Sequence, residues 1–149
     1  MAEAIEAAKP AGSYNLVSLL IGVNNQYRRL SDAAYQDEFA ELLETAVNLA
    51  GGNPKRVFVV SIPDWGATPF AHRQNRAEIG AAIDTFNAIN HAEAEQRSIL
   101  YIDITDLSRR ALTDGSLTAE DFLHPSGEMY RLWVEQMLPE VCALVSNGF

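Results

Sequence analysis

The sequence predicts an α/β domain, a parallel sheet covered by crossover helices, and two observations carry that expectation. Short apolar runs rich in branched residues alternate along the chain with longer segments of helical period. Each run is apolar at nearly every position, the pattern of a strand buried on both faces rather than on one. With 149 residues, 48% hydrophobic and 21% charged, the chain can bury one core. No repeat or second domain is visible, so residues 1–149 are expected to form a single domain.

Ala2 to Lys9 is rich in helix formers, begins at Met1 without a capping residue and stops at Pro10-Ala11-Gly12, so it reads as the back half of a helix. Leu16-Val17-Ser18-Leu19-Leu20-Ile21 is the first strand. Phe39, Leu42, Leu43, Ala46, Val47 and Ala50 then recur on one helix face, with Ser31 or Asp32 as the cap and Gly51-Gly52 as the stop. Val57-Phe58-Val59-Val60-Ser61-Ile62 is the second strand, and Ile79, Ala82, Ile83, Phe86 and Ile89 mark the helix after it. Ile99-Leu100-Tyr101-Ile102 is the third strand. Tyr130, Trp133, Val134, Met137, Val141 and Leu144 mark the last helix, with its aromatic and Met positions expected in the core and a bend or restart at Pro139.

Composition narrows the function. A net charge of −9 and a pI near 4.7 oppose nucleic-acid binding, which relies on clustered Lys and Arg. No apolar stretch approaches the length of a spanning helix, and the start Met1-Ala2-Glu3-Ala4 is not built like a secretory signal. As written the chain is expected in the cytoplasm; a signal carried upstream of Met1 would redirect it to the periplasm or outside. The one cysteine, Cys142, excludes an internal disulfide and reads as a small buried hydrophobe of the last helix. His72 and His91 show no zinc-ligand spacing, so no metal site is expected.

In a parallel sheet, chemistry collects where the loops after the strands converge. Gly22-Val23-Asn24-Asn25 follows the first strand, Pro63-Asp64-Trp65-Gly66 the second and Asp103 the third. Asp121-Phe122-Leu123-His124-Pro125 precedes the last helix, which can return it to the same edge. Taken alone, the first of these segments fits a plain turn and a histidine before proline fits a helix cap. Asp64 and Trp65 fit either a pocket wall or loop packing.

Gly22-Val23-Asn24-Asn25 and Asp121-Phe122-Leu123-His124-Pro125, in this order and about one hundred residues apart, resemble two of the four sequence blocks of the SGNH, or GDSL-type, ester hydrolases. The resemblance covers the chain from Tyr14 onward. It implies a flavodoxin-like three-layer α/β/α fold, here with about three strands and the first two family strands missing. It also implies roles for individual residues. Asn24 would donate its side-chain amide to the oxyanion, His124 would act as general base and acid, and Asp121 would orient the imidazole. Gly22 and Asn25 would border the substrate, Gly22 by allowing close backbone approach. Asn25 stands where the family more often has aspartate. The substrate would be a small ester, a lipid or an acylated sugar, cleaved without metal or cofactor.

The family's nucleophilic serine lies in a Gly-Asp-Ser block, and that tripeptide does not occur in these 149 residues. Ser18 and Ser61 read as packing residues and Ser126 as a helix cap, so no nucleophile is assigned. Two expectations follow: an in-frame extension of roughly fifty to eighty residues upstream, comparable to two βα units, carries the serine; and the first strand, lacking its family neighbours, self-associates through an exposed edge. Two functions fit, an ester hydrolase whose nucleophile lies outside this sequence or a non-catalytic binding module on the same fold. A flavodoxin-like ligand binder fits less well, because no glycine-rich phosphate loop follows the first strand.

Overall fold

The computed structural model of the protein describes residues 2–10 and 13–148. Three parallel strands, β1 (Val17–Leu19), β2 (Val57–Val60) and β3 (Leu100–Ile102), form one sheet in that order. Val17 pairs with Val57 across the first ladder and Phe58 with Leu100 across the second. Six α-helices accompany them among the described residues: α1 (Ala2–Ala8), α2 (Val23–Tyr27), α3 (Asp32–Leu49), α4 (Arg76–Gln96), α5 (Thr105–Arg109) and α6 (Gly127–Gly148). The α/β class and the three parallel strands with flanking helices are those expected from the sequence. The start of α1 at Met1 and the Ala11-Gly12 part of its stop lie outside the described residues.

Strand β2 explains the layering. Its side chains alternate, so Val57 and Val59 join Tyr35, Phe39, Leu43, Ile83 and Phe86 of α3 and α4 in one core. Phe58 and Val60 join Met129 and Trp133 of α6 in the other. Both faces are covered, which is why the sequence run shows no polar alternation. Ser31 proves to be the cap of α3, its hydroxyl accepting from the Ala34 N–H at 3.3 Å, and Gly51 and Gly52 end that helix in the left-handed region.

Strand β1 lies at one edge of the sheet, and beyond Leu16, which packs on the α6 side, its second face is largely uncovered. Val17, Leu19 and Ile21 pack against the α3 and α4 core, whereas Ser18 is exposed and Leu20 retains 41% of its surface. Helix α6 departs further from expectation. It runs from Gly127 through Pro139 to Gly148 as one helix, without the restart, one of the two alternatives expected at Pro139. Trp133 and Met129 are buried, but Tyr130, Val134, Leu138 and Val145 are exposed. Successive helical residues turn by about 100°, so these four form a second apolar stripe beside the buried one. Periodicity marks a face as apolar and does not say what covers it, so Tyr130 is corrected from core to surface. Cys142 is likewise exposed, against its expected burial.

Candidate active site

The loop after β1 turns sharply at Gly22, whose φ of 122° caps α2. A Cβ placed there would lie 2.2 Å from the Tyr35 hydroxyl and 2.6 Å from Ile62 Cδ1. Glycine is therefore required by the approach of the chain's own core. Two side chains then fasten the short helix. Gln26 Oε1 accepts from Trp65 Nε1 at 2.8 Å in a buried contact, and Asn25 Nδ2 donates to Glu38 Oε2 at 2.7 Å. Asn25 therefore turns away from the strand-end cavity. Asn24, the residue just before the two anchors, lines that cavity.

The second component is the loop before α6. The backbone of Thr118 bridges Pro125 in antiparallel fashion, and the Ala119 N–H donates to the His124 carbonyl at 2.8 Å. Inside this clamp Asp121 Oδ1 accepts the N–H groups of Leu123 and His124 at 3.0 and 2.9 Å. Its other oxygen, Oδ2, lies 2.5 Å from His124 Nδ1. The bond from His124, with the two backbone N–H groups behind it, holds the Asp121 carboxyl down at about 2. A proton on His124 Nδ1 satisfies this carboxylate and leaves Nε2 as the basic nitrogen. The side chain of His124 is 71% exposed, so the pair orients the ring and contributes little to stability.

Both components open onto one cavity of about 350 Å³, within the range that takes a small ligand. Tyr27, Trp65 and Phe70 form one wall and Leu117, Met129 and Trp133 another. Tyr27 and Phe70 meet Trp65 edge-on at 5.3 and 6.3 Å between centroids. The Asn24 carboxamide has no hydrogen-bond partner among the described residues, and its amide hydrogens are available to a ligand oxygen. A mostly apolar chamber bearing a neutral donor and a carboxylate-oriented imidazole suits a neutral substrate that develops negative charge on an oxygen.

A family model described as the GDSL-like Lipase/Acylhydrolase family matches residues 1–132. The chain belongs to the GDSL-like lipase/acylhydrolase family. No curated protein matches it. Among solved structures, it resembles LAE5, an alpha/beta hydrolase enzyme from the metagenome of Lake Arreo, Spain, at 17% identity and a TM-score of 0.64, over 95% of this chain and 62% of that one. It also resembles a catalytic mutant of Axe2, an acetylxylan esterase from Geobacillus stearothermophilus, at 20% identity and a TM-score of 0.62, over 94% of this chain and 63% of that one. The chain thus spans under two thirds of the length of these neighbours, and the likeness is one of fold.

The GDSL-like frame rests on a polar network that sequence reasoning did not find. Ser61, fully buried, donates to Asp103 Oδ1 at 2.8 Å and accepts from the Ile104 N–H and the Thr105 hydroxyl, each at 2.8 Å. Asn87 spans the end of β2, accepting from the Ile62 N–H at 2.7 Å and donating to its carbonyl at 3.1 Å. Asp64 lines the cavity but is committed to structure: it accepts from the Gly66 N–H at 2.9 Å and from Arg109 Nε at 3.0 Å. Burial opposes charge on Arg109, but the bonds to Asp64 and Asp84 outweigh it and raise its pKa. Ser108 is on the cavity wall, yet its hydroxyl donates to the Thr105 carbonyl at 2.6 Å and accepts from the Asp64 N–H at 2.8 Å. Ser126 caps α6 through the Met129 N–H at 3.2 Å. Among the described residues no serine hydroxyl bonds to His124, no group of His, Cys, Asp or Glu is placed to hold a metal ion, and no helix is long and apolar enough to cross a membrane.

Proposed function

We propose that the protein acts on carboxylic esters through Asn24, Asp121 and His124, with the attacking hydroxyl supplied from outside the residues of this sequence. The observation that carries the reading is that Asn24 and the Asp121-bound His124 line one apolar cavity although one hundred positions separate them. In the proposed reaction His124 Nε2 takes the proton of the attacking hydroxyl as its oxygen bonds to the ester carbonyl carbon. Asn24 donates to the carbonyl oxygen as it becomes an oxyanion, and Asp121 stabilises the imidazolium. The intermediate collapses by breaking the bond to the alkoxy oxygen, which receives the proton from His124 and leaves as the alcohol. The substrate class is a small ester, a lipid or an acylated sugar.

The test is to supply the nucleophile. Fusing the chain to the Gly-Asp-Ser-bearing first two βα units of a family esterase is expected to give hydrolysis of p-nitrophenyl acetate with an acyl-enzyme burst. His124→Ala in that fusion is expected to slow turnover about a hundredfold or more. A folded fusion whose serine reacts with a fluorophosphonate, yet whose turnover ignores His124→Ala, would defeat the assignment.

A second reading, a binding module without catalysis, is favoured by one observation. The serine on the cavity wall, Ser108, is held by Asp64 and Thr105 and not by a base. On that reading the cavity binds neutral apolar molecules and the fusion stays inactive while binding them.

A further inference from the structure

We propose that Phe122, Phe70 and Leu112 form a subsite for the unbranched alkyl chain of an ester substrate, immediately beside the Asp121 and His124 pair. The inference rests on the ester-hydrolase reading above and extends it to the substrate's apolar part. It begins with a residue in an unfavourable conformation. Phe122 has φ of 61°, a region that glycine enters freely and that a bulky L-residue rarely adopts. The turn in which Asp121 Oδ1 receives the Leu123 and His124 N–H groups holds it there. The other non-glycine residues with positive φ among those described, Lys9, Arg29 and Ser98, are polar.

Core packing does not compensate, because Phe122 is 61% exposed. What Phe122 does form, with Phe70 and Leu112, is an apolar groove along the outer side of Asp121. The three side chains come from separate segments, and all are exposed. Scattered apolar residues on a surface are ordinary, but three converging on one groove beside a reactive pair mark a contact surface. A backbone bond fixes two of its sides, the Phe70 N–H donating to the Phe122 carbonyl at 3.0 Å.

Continuity decides the occupant. Phe70 and Ala111 line both this groove and the cavity that holds Asn24 and His124. An ester whose carbonyl lies between those two residues can therefore extend its apolar part across the shared Phe70 towards Leu112 and Phe122. His72, Arg76 and Asp121 also line the groove, a mixture of charges with no single sign to select an ionic group. A neutral hydrocarbon chain is the class that fits.

The experiment measures affinity against chain length, by calorimetry, for non-hydrolysable amides in two series. N-alkylacetamides from ethyl to octyl probe the alcohol side, and N-methylalkanamides of matching length probe the acyl side. Affinity is expected to rise about two- to fourfold per methylene in one of the series, as for a chain leaving water. Phe122→Gly and Leu112→Ser should each flatten the rise beyond four carbons. Phe122→Gly should leave the melting temperature unchanged or higher, because the strain is relieved, whereas a packing residue would lower it. No rise in either series, an equal rise in both variants and the parent, or a melting temperature lowered in Phe122→Gly overturns the subsite. The shortest amides report on the main cavity through shifts of the Asn24 and His124 resonances, so failure there is read separately as failure of the ester-hydrolase assignment.

Discussion

Gly22→Ala is a small change with a large expected cost. The new methyl would lie 2.2 Å from the Tyr35 hydroxyl, 2.6 Å from Ile62 Cδ1 and 2.8 Å from Tyr35 Cζ. None of these atoms can retreat easily. The Tyr35 hydroxyl donates to Asn90 Oδ1 at 2.7 Å, its ring stacks on Phe86 at 4.0 Å, and Ile62 is fully buried. Overpacking of this kind costs about 1–3 kcal/mol, and an L-residue held at φ of 122° adds about 1–3 kcal/mol of backbone strain. The combined loss is expected near 3 kcal/mol or above, which in a domain of this size lowers the melting temperature by about 6–12 °C. Because Gly22 caps α2, Asn24 should move as well, and its amide resonance should shift more than those of α6. Thermal melting followed by circular dichroism, with amide spectra, measures both. A melting temperature within about 2 °C of the parent would show that the loop relaxes freely and that α2 is not positioned by this contact.

Three further outcomes are expected. Gln26→Ala leaves the buried Trp65 N–H without its acceptor, at about 1–3 kcal/mol in urea unfolding; an unchanged midpoint would show that Trp65 is anchored by its aromatic contacts alone. The Asp121 carboxyl, held at about 2 by His124 against an ordinary 3.8, is depressed on folding. Its stabilising bonds are therefore complete above about pH 4 and lost as pH falls through about 2; a carbon NMR titration of Asp121 with its midpoint at the ordinary value would contradict the bond to Nδ1. The edge of β1 and the apolar stripe of α6 should drive self-association, seen as a mass above the 16.4 kDa monomer in light scattering, and a monomer at high concentration would count against it.

The parts legible in the sequence were those encoded locally. The strands are near-continuous apolar runs because α3 and α4 cover one face of β2 and α6 the other. Ser31 and Gly51-Gly52 bound α3 by capping and left-handed geometry, both of which leave residue signatures. Asp121 and His124 are three residues apart on one turn, so their bond could be anticipated from spacing. The supports of the site could not. Gln26 reaches Trp65 across 39 positions, Asn87 reaches Ile62 across 25 and Ser61 reaches Asp103 across 42. Such bonds have no period, and Ser61, read as a packing residue, proves to be a buried hydrogen-bond centre. Residue type also misled in α6, where the exposure of Tyr130 and Cys142 depends on what lies beside the helix.

The residual hydrolysis of p-nitrophenyl acetate by the unextended chain, compared with His124→Ala, Asn24→Ala, His72→Ala and His91→Ala, tests most directly whether Asn24 and His124 act on an ester carbonyl. Slow hydrolysis without a burst is expected, falling towards the buffer rate in His124→Ala and Asn24→Ala and unchanged in the other two variants. Equal rates in all five proteins, or a burst accompanied by stoichiometric fluorophosphonate labelling of one of the chain's own serines, would contradict it.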